Sequence, residues 1–138
     1  MLLDGKLSEL PRLTAETARF CRRYSLGEEV ELQLNLVLEE LFANAIRHGG
    51  CEGVRDAARV QLEMLPDGVA IEFADRGAPF DATAAPAPKL DAPLETRPIG
   101  GLGIHLVRQI VRDLRYQRVD GWNRLTMRRP SREKEGES

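Results

Sequence analysis

Residues 58–75 read ARVQLEMLPDGVAIEFAD, two runs of alternating apolar and polar side chains joined at Pro66-Asp67-Gly68. Alternation with a period of two is the pattern of a half-buried strand, and the Pro-Asp-Gly punctuation between the runs predicts an antiparallel hairpin. Strands over 58–65 and 68–75 joined this tightly leave no room for a crossover helix. The alternating strand–helix–strand order of doubly wound nucleotide folds is therefore excluded here.

Upstream, residues 28–48 carry the strongest helical pattern: Leu34, Val37, Leu38, Leu41, Phe42 and Ala45 recur at i, i+3, i+4, i+7, i+8 and i+11, and Gly49-Gly50 ends the run. Residues 8–25 read as an earlier helix, with Ser8 as N-cap and Pro11 in the first turn. Only Leu2 and Leu3 suggest a strand before it. Downstream, residues 76–99 hold most of the chain's prolines and many alanines, which excludes a regular helix or a central strand. A loop of that length in a compact domain is either functional or disordered. A helix follows over about 101–113, then short strands at LRYQRV (114–119) and NRLTMRR (123–129). Hairpin-linked strands segregated from helices predict an α+β, two-layer α/β sandwich with a mixed or antiparallel-rich sheet and helices on one face.

The bulk properties fit one soluble domain over residues 1–130 and a polar tail, 131–138, expected to fray. The 138 residues are 42% hydrophobic and 30% charged, with a formal net charge of −2. No basic excess points to nucleic acid, and no apolar run approaches the roughly 20 residues of a membrane span. Cys21 and Cys51 are isolated thiols by their spacing, and with His48 and His105 as the only histidines a histidine-rich metal site is excluded. MLLDGKLSELPR lacks the features of a signal peptide, so a cytoplasmic location is expected.

Three local features carry chemistry. The first is IGGLGI (99–104), with Gly100, Gly101 and Gly103 at the start of a helix. Glycine is costly to order, so the cluster serves either a tight turn or a backbone that must approach an anion closely. The Rossmann and Walker spacings do not match it. The second is a polar stripe on the long helix, Glu40, Asn44 and His48, at i, i+4 and i+8 along the border of the apolar face. Such groups either satisfy neighbouring backbone or form a site in which a carboxylate takes a proton and a carboxamide oxygen ligates a hard cation. Glu39 is expected to be a solvated charge. The third is Asp75-Arg76-Gly77, an acid and a glycine at the end of a strand.

In this order the three features resemble the motifs of the GHKL ATPases, which share the Bergerat ATP-binding fold. The closest branch is the stand-alone serine kinases that act as anti-sigma factors in bacterial partner switching. The resemblance runs from about residue 8 to 129. The family's helix motif ExxxNAxxHG is matched by Glu40 to Gly49, which implies Glu40 as general base and Asn44 as ligand to a Mg²⁺ that bridges the phosphates of ATP. The DxG motif is matched by Asp75-Arg76-Gly77, which implies that Asp75 accepts a hydrogen bond from the adenine amine. The second glycine box is matched by Gly100, Gly101, Leu102 and Gly103, which implies phosphate binding by its N–H groups. Residues 78–99 would then be the ATP lid.

The chain departs from the family at two places. Pro79 stands where many members have a further glycine, and Trp122-Asn123 where they carry Gly-Thr, so that Asn123 would replace the threonine near adenine. The resemblance implies ATP-dependent phosphorylation of a serine or threonine on an anti-sigma-factor antagonist with a small STAS-type α/β domain. It also implies binding of a sigma factor, a homodimer, and no direct contact with nucleic acid or membrane. The competing readings are a catalytically silent, ATP-dependent clamp on a sigma factor or other regulator, and a detached histidine kinase catalytic domain.

Overall fold

The computed structural model describes residues 1–84 and 101–131, and of Gly101 and Leu102 the helical backbone alone. Gly100, most of the expected lid (85–99) and the tail from 132 lie outside the described residues.

The expected hairpin is the middle of a five-stranded sheet. Strands β2 (Ala58–Leu65) and β3 (Gly68–Asp75) pair from Ala58↔Asp75 to Leu65↔Gly68. The strand β1 is only Leu2–Leu3 and pairs with Arg59 and Ala58. Strands β4 (Arg112–Val119) and β5 (Trp122–Pro130) form a second hairpin, and β5 lies against β3. Among the described residues the order is β1-β2-β3-β5-β4, and every pairing is antiparallel, with no parallel component. At the second turn Asp120 and Gly121 both take positive φ, 50° and 85°, as a type I′ turn requires. That turn fixes Val119 opposite Trp122 and therefore Arg118 opposite Asn123.

Helices α1 (Leu10–Arg23), α2 (Glu28–Arg47) and α3 (Gly101–Ile110) cover one face. Alternation on the strands sends Val60, Ile71, Phe73, Leu125 and Met127 toward them, into one core with Leu34, Val37, Leu38, Phe42, Ile104 and Val107. The other face is polar, with Arg124 2.5 Å and Arg59 3.5 Å from Glu72. Two expected boundaries move. Ser8 lies in a short 3₁₀ turn, Leu7–Glu9, and Glu9 occupies the N-cap of α1 with no side-chain cap. Helix α3 stops at Ile110 and β4 starts at Arg112, which already pairs with Arg128; the left-handed Asp113 (φ 58°) lies within β4, at its register shift between Arg112 and Arg115.

Candidate functional site

Helix α2 meets one motif in its C-terminal half and another just beyond its C-terminus. Glu40 and Asn44 are both half-buried, one helical turn apart, and neither side chain has a hydrogen-bond partner among the described residues. Gly103, in the first turn of α3, packs directly on Glu40: a Cβ at that position would lie 1.7 Å from Glu40 Oε1 and 2.6 Å from Cγ. A side chain at residue 103 would have to displace the Glu40 carboxylate from this position. The first turn of α3, whose N–H groups have no intrahelical acceptors and carry the positive end of the helix dipole, therefore stands next to the Glu40 carboxylate.

Two turns and more along α2, the helix ends at His48, an exposed C-cap whose backbone N–H donates to the Asn44 carbonyl at 2.9 Å. Beyond it, the Gly49 carbonyl accepts from Ala78 N at 3.1 Å, and a Cβ on Gly77 would come within 2.4 Å of that same oxygen. Gly77 is thus the glycine that allows the segment after β3 to lie on the end of α2. From Glu40 to Arg47 the helix rises roughly 10 Å, and this stretch with the His48-Gly49 turn lies between the contact with Gly103 and the contact with Gly77.

Asp75 closes β3 and is half-buried. Its Oδ1 accepts from Gly77 N at 2.8 Å and Asn123 Nδ2 at 3.0 Å, with Cys51 Sγ at 4.0 Å. No described residue donates to Oδ2. Burial, with the Asp75 carboxylate adding to it, pushes the Cys51 thiol up to about 11, against a smaller opposing effect of the Arg76 backbone N–H. The thiol is therefore neutral at physiological pH.

Asn123 is 4% exposed and touches more of the site than any other side chain described. Its Nδ2 donates to Asp75 and to the Ala78 carbonyl at 2.8 Å, and its Oδ1 accepts from Tyr116 Oη at 2.7 Å, Phe80 N at 3.2 Å and Arg118 Nη1 at 3.3 Å. Arg118 also donates to the Gly77 carbonyl at 2.8 Å. Arg76, between the motif's acid and glycine, turns to the outer face and lies 4.1 Å over the Trp122 ring, with Arg59 at 4.9 Å from the same ring.

Of the residues singled out in the sequence, the structure brings Glu40 to Gly103, Asp75 to Gly77 and Asn123, and the end of the Glu40–Gly49 motif to Gly77. Gly101 and Leu102 open α3, while Gly100 lies outside the described residues. Glu39 is not a free solvated charge: it is half-buried and accepts from Thr14 Oγ1 at 3.4 Å. His105 contacts Gln109 at 3.2 Å. Tyr116, Arg118 and Cys51 escaped sequence reasoning. Tyr116, half-buried, and Arg118, exposed, alternate onto the same side of β4, and only the register with β5 places them beside Asn123. Among the described residues no group of three or more His, Cys, Asp or Glu could hold a metal, and no helix is long and apolar enough to cross a membrane.

Comparison with known proteins agrees with this arrangement. The family model for the histidine kinase-like ATPase domain matches residues 3–129. The chain is similar to serine/threonine-protein kinase BtrW of Bordetella bronchiseptica, 36% identical over 94 residues, or 68% of this chain and 66% of the relative. Its fold is like that of the RsbU and RsbW domains of Rv1364c from Mycobacterium tuberculosis (TM-score 0.67, 17% identity, 96% of this chain and 32% of that one). It is also like that of histidine kinase AdeS from Acinetobacter baumannii (TM-score 0.50, 15% identity, 75% of this chain and 48% of that one). The chain thus spans about two thirds of the length of BtrW and about a third of the Rv1364c structure. A family match over nearly all of the sequence, on an antiparallel sheet covered by helices and with the motifs joined through α2, means that the chain belongs to the histidine kinase-like ATPase domain family.

Proposed function

We propose that the chain binds MgATP and transfers its γ-phosphoryl group to a serine or threonine of a protein partner, an anti-sigma-factor antagonist in a bacterial partner-switching system. The observation that carries this reading is the placement of two motifs along the C-terminal half of α2. A helix N-terminus suited to an anion stands at Glu40, and a carboxylate suited to a nucleobase amino group stands past Gly49. An elongated ligand with a base at one end and phosphates at the other matches that order. The 36% identity to a serine/threonine-protein kinase supports phosphoryl transfer as the outcome.

In this reading Asp75 accepts a hydrogen bond from the exocyclic amine of adenine, where guanine would present a carbonyl and be rejected. Gly77 keeps the floor of that pocket close to α2. The first turn of α3 from Gly101, with Leu102 and Gly103, holds the phosphates through backbone N–H groups, and Gly100 is assigned to the same glycine box by its place in the sequence. Asn44 fits a Mg²⁺ carried on the nucleotide: its carboxamide has no partner among the described residues, and a cation that takes one or two protein ligands plus phosphate oxygens needs no acidic cluster. That ion would supply neutralisation of phosphate charge. Glu40 takes the proton of the incoming hydroxyl as its oxygen bonds to the γ-phosphorus, and the bond to the β,γ-bridging oxygen breaks to release ADP. The acceptor is a protein side chain, and the same surface sequesters a sigma factor when the antagonist is phosphorylated. A cytoplasmic homodimer completes the proposal.

The test is transfer of labelled γ-phosphate to the serine of a purified antagonist domain. Label on that serine, reduced about 10²-fold or more in Glu40→Ala, is the expected result. Nucleotide binding with no label on any antagonist serine would leave a nucleotide-dependent clamp instead.

A further inference from the structure

The Asn123 carboxamide is saturated inside the protein. A carboxamide offers two N–H donors and two acceptor lone pairs. Here the donors go to Asp75 Oδ1 and the Ala78 carbonyl, and the oxygen receives Phe80 N, Tyr116 Oη and Arg118 Nη1. The orientation of the amide is not arbitrary. Phe80 N and the Arg118 guanidinium are donors only, so the oxygen must face them and the nitrogen must face the carboxylate. With 4% exposure and every polar atom engaged, Asn123 keeps no spare group for a ligand.

From this network we infer that Asn123, held from behind by Tyr116 and Arg118 of β4, is a positioning residue that sets nucleobase specificity through Asp75. The inference rests on the reading of Asp75 as the nucleobase acceptor. Oδ1 of Asp75 accepts from Gly77 N and Asn123 Nδ2, which restrains the carboxylate and leaves Oδ2 as its one oxygen without a donor among the described residues. A fixed lone acceptor rewards an amino group at one place and repels a carbonyl there. The same carboxamide ties Ala78 and Phe80 to β5, and Arg118 ties Gly77, so the wall beside Asp75 is held by the same hydrogen bonds. Loosening the carboxamide frees Asp75 to turn, and discrimination falls further than affinity for the amino ligand.

The experiment measures calorimetric affinities of the full chain for MgATP and MgITP, which differ in an amino group against a carbonyl at that edge of the base. Wild type, Asp75→Asn, Asn123→Ala and Tyr116→Phe are compared, with thermal melts of each. The inference expects a wild-type preference for ATP, an ATP:ITP ratio reduced about 3- to 10-fold in Tyr116→Phe for one lost hydrogen bond, and a larger reduction in Asn123→Ala. Tyr116→Phe keeps the ring in place, so it remains informative if Asn123→Ala fails to fold. Ratios within twofold of wild type in Tyr116→Phe, whatever its melting temperature, would overturn the positioning role while leaving Asp75 as the acceptor. A wild type without preference for ATP, or Asp75→Asn with unchanged affinities, would overturn the reading of Asp75 itself and the inference with it.

Discussion

The Glu40 carboxylate rests on the α-carbon of Gly103, so that a single added methyl group at residue 103 would stand 1.7 Å from Glu40 Oε1. Two segments some sixty residues apart in the chain thus meet with no side chain between them, and the contact couples their substitutions. Gly103→Ala must push the carboxylate aside, whereas in a Glu40→Ala background the obstructing atoms are gone. A double-mutant cycle on nucleotide affinity is expected to give a coupling of about 0.5–3 kcal/mol, with Gly103→Ala milder in the double variant. Strict additivity would show that the contact has no energetic consequence.

Gly77 meets a harder obstacle. Its Cβ would come within 2.4 Å of the Gly49 carbonyl, which is backbone and does not swing away as a glutamate can. Gly77→Ala therefore has to move the segment after β3 off the end of α2. A loss of about 1–3 kcal/mol in urea unfolding is expected, typical of overpacking, together with weaker nucleotide binding.

Cys51 supplies a pH signature. Its folded-state value of about 11 exceeds the ordinary 9.0, so between those values the native state holds a proton that the unfolded chain has lost. The stabilisation is complete below pH 9 and disappears as pH rises through 9 to 11; two units correspond to about 2–3 kcal/mol at most. The alkaline limb of the stability profile is expected to flatten in Cys51→Ala. An unchanged limb would mean that the thiol is not buried against Asp75.

In the core, Phe73 is 1% exposed and faces the helices from the central strand β3. Phe73→Ala is expected to cost about 3–5 kcal/mol by chemical denaturation. Exposed Phe80, in the segment after β3, is expected to tolerate alanine within about 0.5 kcal/mol.

The sheet was legible wherever alternation and a turn signal coincide. The bounds of β2 and β3 follow from ARVQLEML, Pro66-Asp67 and GVAIEFAD, and Asp120-Gly121 marks the second turn. The end of α3 was not legible. Ile110, Val111 and Leu114 continue a helical spacing, whereas the chain turns to strand at Arg112, where pairing with Arg128 of β5, a tertiary contact, takes over. Glu40, Asn44, Asp75 and the glycines stood out because polar groups and glycines at those positions contradict plain core packing. Tyr116 and Arg118 did not, since an aromatic and a charge alternating on an edge strand look ordinary until the register sets them beside Asn123. Glu39 misled because helical phase places it away from the apolar stripe, and the face of α1 that Thr14 presents to it is a tertiary fact.

The central claim is that α2 joins a phosphate end and a base end into one nucleotide site, and calorimetry of MgATP binding to wild type, Asn44→Ala and Asp75→Asn tests it most directly. Saturable binding in wild type is expected, with affinity lost in Asp75→Asn and its magnesium dependence lost in Asn44→Ala. No heat of binding in wild type, or equal affinities in all three proteins, would contradict the account and leave the glycines at 100–103 as a turn that merely lets α3 pack.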